Sequence, residues 1–170
     1  MAEFIRKVPE GDTRERDVCL RCGFVDYSNP RIVVGTVVAH EGRVLMCRRA
    51  IAPGRGLWTL PAGYLENGET PEEGAAREAL EEAQARIALD GVLGIYTVRH
   101  LSQVQILFLG RFAGAADFAA GHETLEAGLF GWDEIPWEAI AFPSVAWVLR
   151  RWRNVGAHDR LATPAFAEAD

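Results

Sequence analysis

The chain has 170 residues, 49% of them hydrophobic and 25% charged, with a formal net charge of −6. That length suits one globular domain of ordinary size with at most a small appendage. The acidic balance argues against a broad nucleic-acid surface, and no apolar run approaches the roughly 18 residues of a membrane-crossing helix.

The opening "MAEFIRKVPEGD" lacks the apolar stretch of a signal peptide, and 3 cysteines, two of them in one C-x-x-C, make no secreted disulfide framework. A cytoplasmic protein is therefore expected. Residues 1–29 are polar and turn-rich, closed by Asn29 and Pro30. "RIVVGTVVA" (31–39) is β-branched and reads as a strand, and Glu41-Gly42 reads as a hairpin turn into "RVLMCRR" (43–49). Pro53, Gly54 and Gly56 punctuate a loop before "LWTLPAGYLENGET".

A helix is then well signalled, with Thr70 as N-cap, Pro71 at the first helical position, and Glu72 and Glu73 in the first turn. The Thr70–Glu73 spacing permits a capping box. Strand-like stretches follow at about 90–99 and 103–113, then a variable loop (114–124) and the short strand "EAGLFGW". Pro136 opens a turn, and "SVAWVLRRWR" (144–153) reads as a closing amphipathic helix. The remainder, 154–170, lacks periodicity and reads as a mobile tail. The pattern implies an α/β layered domain over 30–153, with a small segment (1–29) before it.

Within the acidic helix, "REALEEAQ" (77–84) crowds Glu78, Glu81 and Glu82 beside Arg77. Helical neighbours lie three and four residues apart, so like charges there repel by a few tenths of a kcal/mol per pair. Two readings fit the octapeptide alone: a solvated face opposite Ala76, Ala79, Leu80 and Ala83, or a carboxylate cluster for a hard divalent cation.

The wider context separates them. "GYLENGETPEEGAAREALEEAQA" resembles the Nudix box, G-x5-E-x7-R-E-U-x-E-E-x-G-U with U apolar, through Gly63, Glu69, Arg77, Glu78, Glu81 and Glu82, with Ala79 and Ala85 at apolar positions. The preceding "GLWTLPAG" is also typical of that family. From "NPRIVVGTVVA" to "DEIPWEAIAFPSV" the chain is similar to the subgroup that carries an N-terminal zinc ribbon, whose members act on FAD, ADP-ribose or NADH. The resemblance implies a Nudix α/β/α sandwich with a mixed sheet, and Mg²⁺- or Mn²⁺-dependent hydrolysis of a nucleoside diphosphate linked to another moiety. No nucleic-acid or membrane partner is implied, and many relatives form homodimers.

The resemblance assigns Glu78 and Glu82 as first metal ligands, with Glu81 close behind and the Ala62 backbone carbonyl completing the set. Arg77, four residues from Glu81, is placed to pair with it, and Glu69 either anchors the loop or shares a metal. The general base is a box glutamate or a loop acid, Glu123 or Glu126, with Glu126 taken as the catalytic candidate. Arg49 matches the phosphate-contacting arginine of relatives, whereas Arg48 points to the opposite face if its strand alternates. Trp58 either stacks on a base or plugs the core.

Three departures stand out. Gln84 occupies the position of the box's last glycine, so either the helix runs on or packing absorbs a left-handed residue costing about 1–2 kcal/mol. Arg99 and His100 stand where ADP-ribose pyrophosphatases tend to have proline; with Gln103 they are candidates for reading the leaving half of the substrate. Cys19 and Cys22 supply only half of a four-ligand zinc site. A metal-free degenerate ribbon, a further C-x-x-C upstream of Met1, and a site shared between two chains all stay open.

A nucleoside triphosphate pyrophosphatase and a non-catalytic Nudix ligand sensor are the competing functions, the latter disfavoured because every box acid is present.

Overall fold

The computed structural model describes residues 3–155 and the backbone of 165–169. It divides into two compact units, Met1–Pro30 and Arg31–Asp170.

The first unit holds structure that its polar composition does not advertise. Phe4–Lys7 (β1), Arg16–Cys19 (β2) and Val25–Asp26 (β3) form an antiparallel sheet in the order β1-β2-β3. Asp12 organises the connection between β1 and β2. Its carboxylate accepts from the Thr13 and Arg14 N–H groups and from Arg16 Nε at 3.0 Å.

The second unit begins with Arg31–His40 (β4) and Arg43–Arg49 (β5), joined as expected through Glu41-Gly42. Both turn residues have positive φ, 49° and 75°, the backbone twist a two-residue hairpin favours. Short strands Trp58–Thr59 (β6) and Ala62–Tyr64 (β7) pair with β5 and β4 respectively. The helix Pro71–Ala83 (α1) comes next, followed by Ile87–Val98 (β8), Gln103–Phe112 (β9) and Thr124–Gly131 (β10). Pro143–Val155 (α2) follows.

Residues Ala165–Ala169 form β11, parallel to β8. This corrects the expectation of a tail without structure: at a sheet edge, ladder hydrogen bonds to β8 satisfy a segment that shows no hydrophobic period. The rest of that expectation, 156–164 and 170, lies outside the described residues. The main sheet runs β10-β5-β4-β9-β8-β11 and is mixed, because β4 pairs with β9 in parallel while β8 pairs with β9 antiparallel.

Alternation along the strands builds two cores. Val34 and Phe108 face α1 and pack with Ala75, while Val37 and Leu107 face α2 and pack with Val145, Val148 and Leu149. The helices therefore cover opposite faces, the expected α/β/α arrangement. Among the described residues, no helix is long and apolar enough to cross a membrane.

Candidate active site

The capping box forms as its spacing requires. Thr70 Oγ1 accepts from the Glu73 N–H at 3.2 Å, and the Glu73 carboxylate accepts from the Thr70 N–H at 2.8 Å. This fixes where α1 begins. Ala75, Ala79 and Ala83 are buried beneath it, and their small side chains let the helix lie close to the sheet.

The face that α1 buries decides what the glutamates see. Glu78 and Glu82 sit at the buried margin of the helix, 8% and 7% exposed, so the solvated-face reading fails for both. Glu81 remains exposed on the outer side. A Cβ on Gly63 would collide with the Glu78 carboxylate, which explains a residue without a side chain at that position of β7. The Ala62 N–H donates to Glu82 Oε2 at 3.0 Å.

Arg77 ties this corner together. Its guanidinium donates to both Glu69 oxygens at 2.6 and 3.1 Å, to Glu78 at 2.7 Å, to Glu81 at 3.0 Å and to the Tyr64 carbonyl at 3.0 Å. Glu69 also accepts from the Glu66 N–H, so it anchors the loop before the helix. Hydrogen bonds from Arg77 and the Glu66 amide hold the Glu69 carboxyl below its ordinary pKa, whereas burial pushes Glu78 up against the opposing pull of Arg77. Glu82 is pushed up to about 7, first by burial; the Ala62 N–H and Arg49 oppose this, and the charges of Glu78 and Glu123 add to it.

Two loop acids were candidates for the base, and the structure separates them. Glu123 is close enough to raise the pKa of both Glu78 and Glu82. Glu126, the preferred candidate, forms an ion pair with Arg48 at 3.7 Å instead. The reason is a β-bulge at Leu125: Thr124 stands opposite Arg49, yet Glu126 stands opposite Arg48. Strict alternation would keep 124 and 126 on one face, and the extra residue turns Glu126 to the other. Sequence alone carries no mark of that bulge.

Arg49 is close enough to Glu82 to oppose its raised pKa, and it donates to the Pro53 carbonyl at 2.8 Å with its guanidinium 5.1 Å from the Phe142 ring. Trp58 packs edge-on against Phe130 at 4.8 Å on the α2 side, so of its two readings the core one describes its surroundings. Arg99 and His100 occupy an exposed 3₁₀ turn, Arg99–Leu101. Gln103 instead donates to the Tyr64 hydroxyl at 3.1 Å, where Arg31 donates as well at 3.4 Å. Tyr64 and Arg31 were not picked out from sequence; the signal available was only their adjacency to the box and to the first long strand.

Gln84 ends α1 rather than extending it. It adopts a left-handed conformation (φ 51°), and its N–H reaches back to the carbonyls of Ala79 and Leu80.

Among the described residues, no three Cys, His, Asp or Glu side chains converge as a ready metal cage. The donor set still fits Mg²⁺ or Mn²⁺. Two buried carboxylates that repel one another, with a bare glycine Cα beside one of them, suit a cation that keeps water and takes only one or two protein carboxylates. Zinc fits less well. Hydrogen bonds from the Cys22 and Arg21 N–H groups hold the Cys19 thiol below its ordinary pKa, as in a metal knuckle. Cys22 is the second thiol of that unit, and Cys47 lies buried in the other unit beneath Glu82, its pKa raised by burial. Two ligands do not close a structural zinc site.

A profile of the NUDIX domain matches residues 29–148, and one for the Nudix N-terminal segment matches 2–28. A "MutT-like protein" of Streptomyces ambofaciens is 38% identical over 92 residues, 54% of this chain and 58% of that protein. An ADP-ribose pyrophosphatase of Methanocaldococcus jannaschii is 27% identical over 132 residues, 75% of this chain and 78% of its own length. The crystal structure of a NUDIX hydrolase from Nitrosomonas europaea superposes with a TM-score of 0.89 at 44% identity, covering 99% of this chain and 94% of that one. The chain thus spans little more than half of the Streptomyces relative.

Proposed function

The chain belongs to the NUDIX family, and from that premise we propose that it hydrolyses the pyrophosphate bond of a nucleoside diphosphate linked to another moiety. ADP-ribose and FAD are the substrates of choice, and the products are a nucleoside monophosphate and a phosphorylated fragment. The observation that carries this reading is the burial of Glu78 and Glu82 side by side, facing Arg49 and Glu123. Buried like charges persist where a ligand of opposite charge belongs among them.

Glu78 and Glu82, with the Ala62 carbonyl and Glu81 toward solvent, would hold Mg²⁺ or Mn²⁺. Such a cation would supply positive charge to the phosphate oxygens and lower the pKa of the attacking water. Arg77 orients Glu78 and, through Glu69, the loop between β7 and α1. Arg49 offers its guanidinium to the diphosphate. The Glu123 carboxylate takes the proton of the attacking water; the new O–P bond forms as the bridging P–O bond breaks, and the departing phosphate keeps the electron pair. Gln103, Tyr64 and Arg31 form a polar cluster with an exposed ring that suits the second half of the substrate. The reading is of a soluble cytoplasmic enzyme without a nucleic-acid partner, compatible with a homodimer.

The test is product analysis on ADP-ribose, FAD, NADH and nucleoside triphosphates with Mg²⁺ or Mn²⁺, with Glu82→Gln as control. The expected result is monophosphate release from a diphosphate-linked substrate, lost in the variant. Pyrophosphate release from a triphosphate alone would instead favour the triphosphatase. A folded protein that turns over none of the panel would favour the ligand sensor.

A further inference from the structure

The departure at Gln84 coincides with an unusual attachment of the loop that carries Glu123. Helix C-termini leave carbonyls without intrahelical partners, and two of those of α1 are met by the backbone of residues 119–121. The Ala119 N–H donates to the Ala83 carbonyl at 2.9 Å and the Gly121 N–H to the Glu82 carbonyl at 2.9 Å. The contact is so close that a Cβ on Gly121 would collide with the Glu81 carbonyl. Between those two amides, Gln84 Nε2 donates to the Ala120 carbonyl at 3.0 Å.

The other side of the loop is tied as well. The Thr124 N–H closes a turn onto the Gly121 carbonyl at 3.2 Å, and the Ala50 N–H donates to the Glu123 carbonyl at 2.8 Å. Glu123 therefore sits in a turn stapled to the end of α1 on one side and to the residue after Arg49 on the other. Of the contacts on the α1 side, the Gln84 amide is the one made by a side chain that a glycine would lack.

We propose that Gln84 is a positioning residue: its side chain clamps the 119–121 segment to the box helix and thereby holds the turn that carries Glu123 at the end of the helix that bears Glu78 and Glu82. The left-handed conformation at Gln84 is retained because it aims the amide along the helix end toward the loop. This rests on the role of Glu123 in the proposed reaction, and two readouts keep the two ideas apart.

The test compares full-length wild type with Gln84→Gly and Gln84→Glu. Glycine accepts the left-handed backbone but has no amide; glutamate keeps the length and loses the donor. Amide hydrogen exchange at Ala119 and Gly121, measured without metal or substrate, reads the clamp directly. Turnover of ADP-ribose with Mg²⁺ reads its consequence. The expected result is an unchanged or higher Tm for Gln84→Gly, with exchange at Gly121 accelerated about tenfold in both variants. For both, kcat falls by about tenfold while KM stays within about a factor of two, the pattern of a misplaced reacting group. Undisturbed exchange at Gly121 overturns the clamp, and accelerated exchange with unchanged kcat overturns its bearing on Glu123. A wild type inert toward ADP-ribose, with the Gly121 amide released in Gln84→Gly, supports the clamp and counts against the proposed reaction.

Discussion

Glu82 carries more of the site's physics than any other single side chain. It is buried beside Glu78, held by one backbone N–H, and raised to about pH 7 in its titration. Such a carboxylate destabilises the protein that surrounds it while offering a cation a partly dehydrated ligand. Glu82→Gln separates the two effects. The amide oxygen still accepts from the Ala62 N–H, and the charge repulsion disappears. In the absence of metal the variant is expected to unfold at a higher temperature than wild type in calorimetry at pH 8, while turnover with Mg²⁺ drops by about a hundredfold or more. A lower melting temperature together with unchanged turnover would show that Glu82 is a structural residue and nothing more.

At the scale of elements, α1 is positioned at both ends by different means. Its start is written in local sequence: Thr70, Pro71 and Glu73 form the cap through contacts no more than three residues apart. Thr70→Ala is expected to cost about 1 kcal/mol, seen as a fall in Tm of about 2–4 °C for a chain of this size. Because the cap follows directly on Glu69, which is tied to Glu78 through Arg77, Mg²⁺ affinity measured by titration calorimetry is expected to weaken in the same variant. The end of α1 is built from a distant segment, through Ala119 and Gly121, and is legible only after folding. The N-terminal strands were equally hidden, since β1 to β3 are short and rest on backbone pairing and the Asp12 turn rather than on apolar alternation.

For the whole molecule, the raised carboxyls predict how stability follows pH. Glu82 binds its proton more tightly in the folded chain than in the unfolded one, and Glu78 is displaced in the same direction. The folded state thus holds more protons between the ordinary value, 4.5, and about 7, and its stability from these groups is lost as pH rises through that window. Asp12, Glu69 and Glu134 are displaced downward, so their contribution is lost only at more acidic pH. In chelator, melting temperature is expected to decline from pH 5 to pH 8, and Mg²⁺ is expected to raise it more at pH 8 than at pH 5. Tryptophan fluorescence is a suitable probe, because all 5 tryptophans (Trp58, Trp132, Trp137, Trp147 and Trp152) pack against the α2-side core. An Mg²⁺ shift independent of pH would argue that cations do not bind at Glu78 and Glu82.

The sequence by itself determined what depends on near neighbours and on fixed spacing: the hairpin at Glu41-Gly42, the capped acidic helix, the glycine and glutamates of the box, and hence the family. The hairpin and the cap are contacts within a few residues, where backbone geometry leaves little choice, and the box is legible through the fixed spacing of its residues. Tertiary structure alone decided which face each distant residue presents. One extra residue at Leu125 carried Glu126 to Arg48, while Glu123, before the bulge, is near enough to act on the box acids. Likewise, whether Gln84 extended or ended its helix depended on a loop more than thirty positions away that supplies its Ala120 carbonyl. Bulges and loop docking are set by the balance of packing over the whole sheet, and no local pattern of residues encodes that balance.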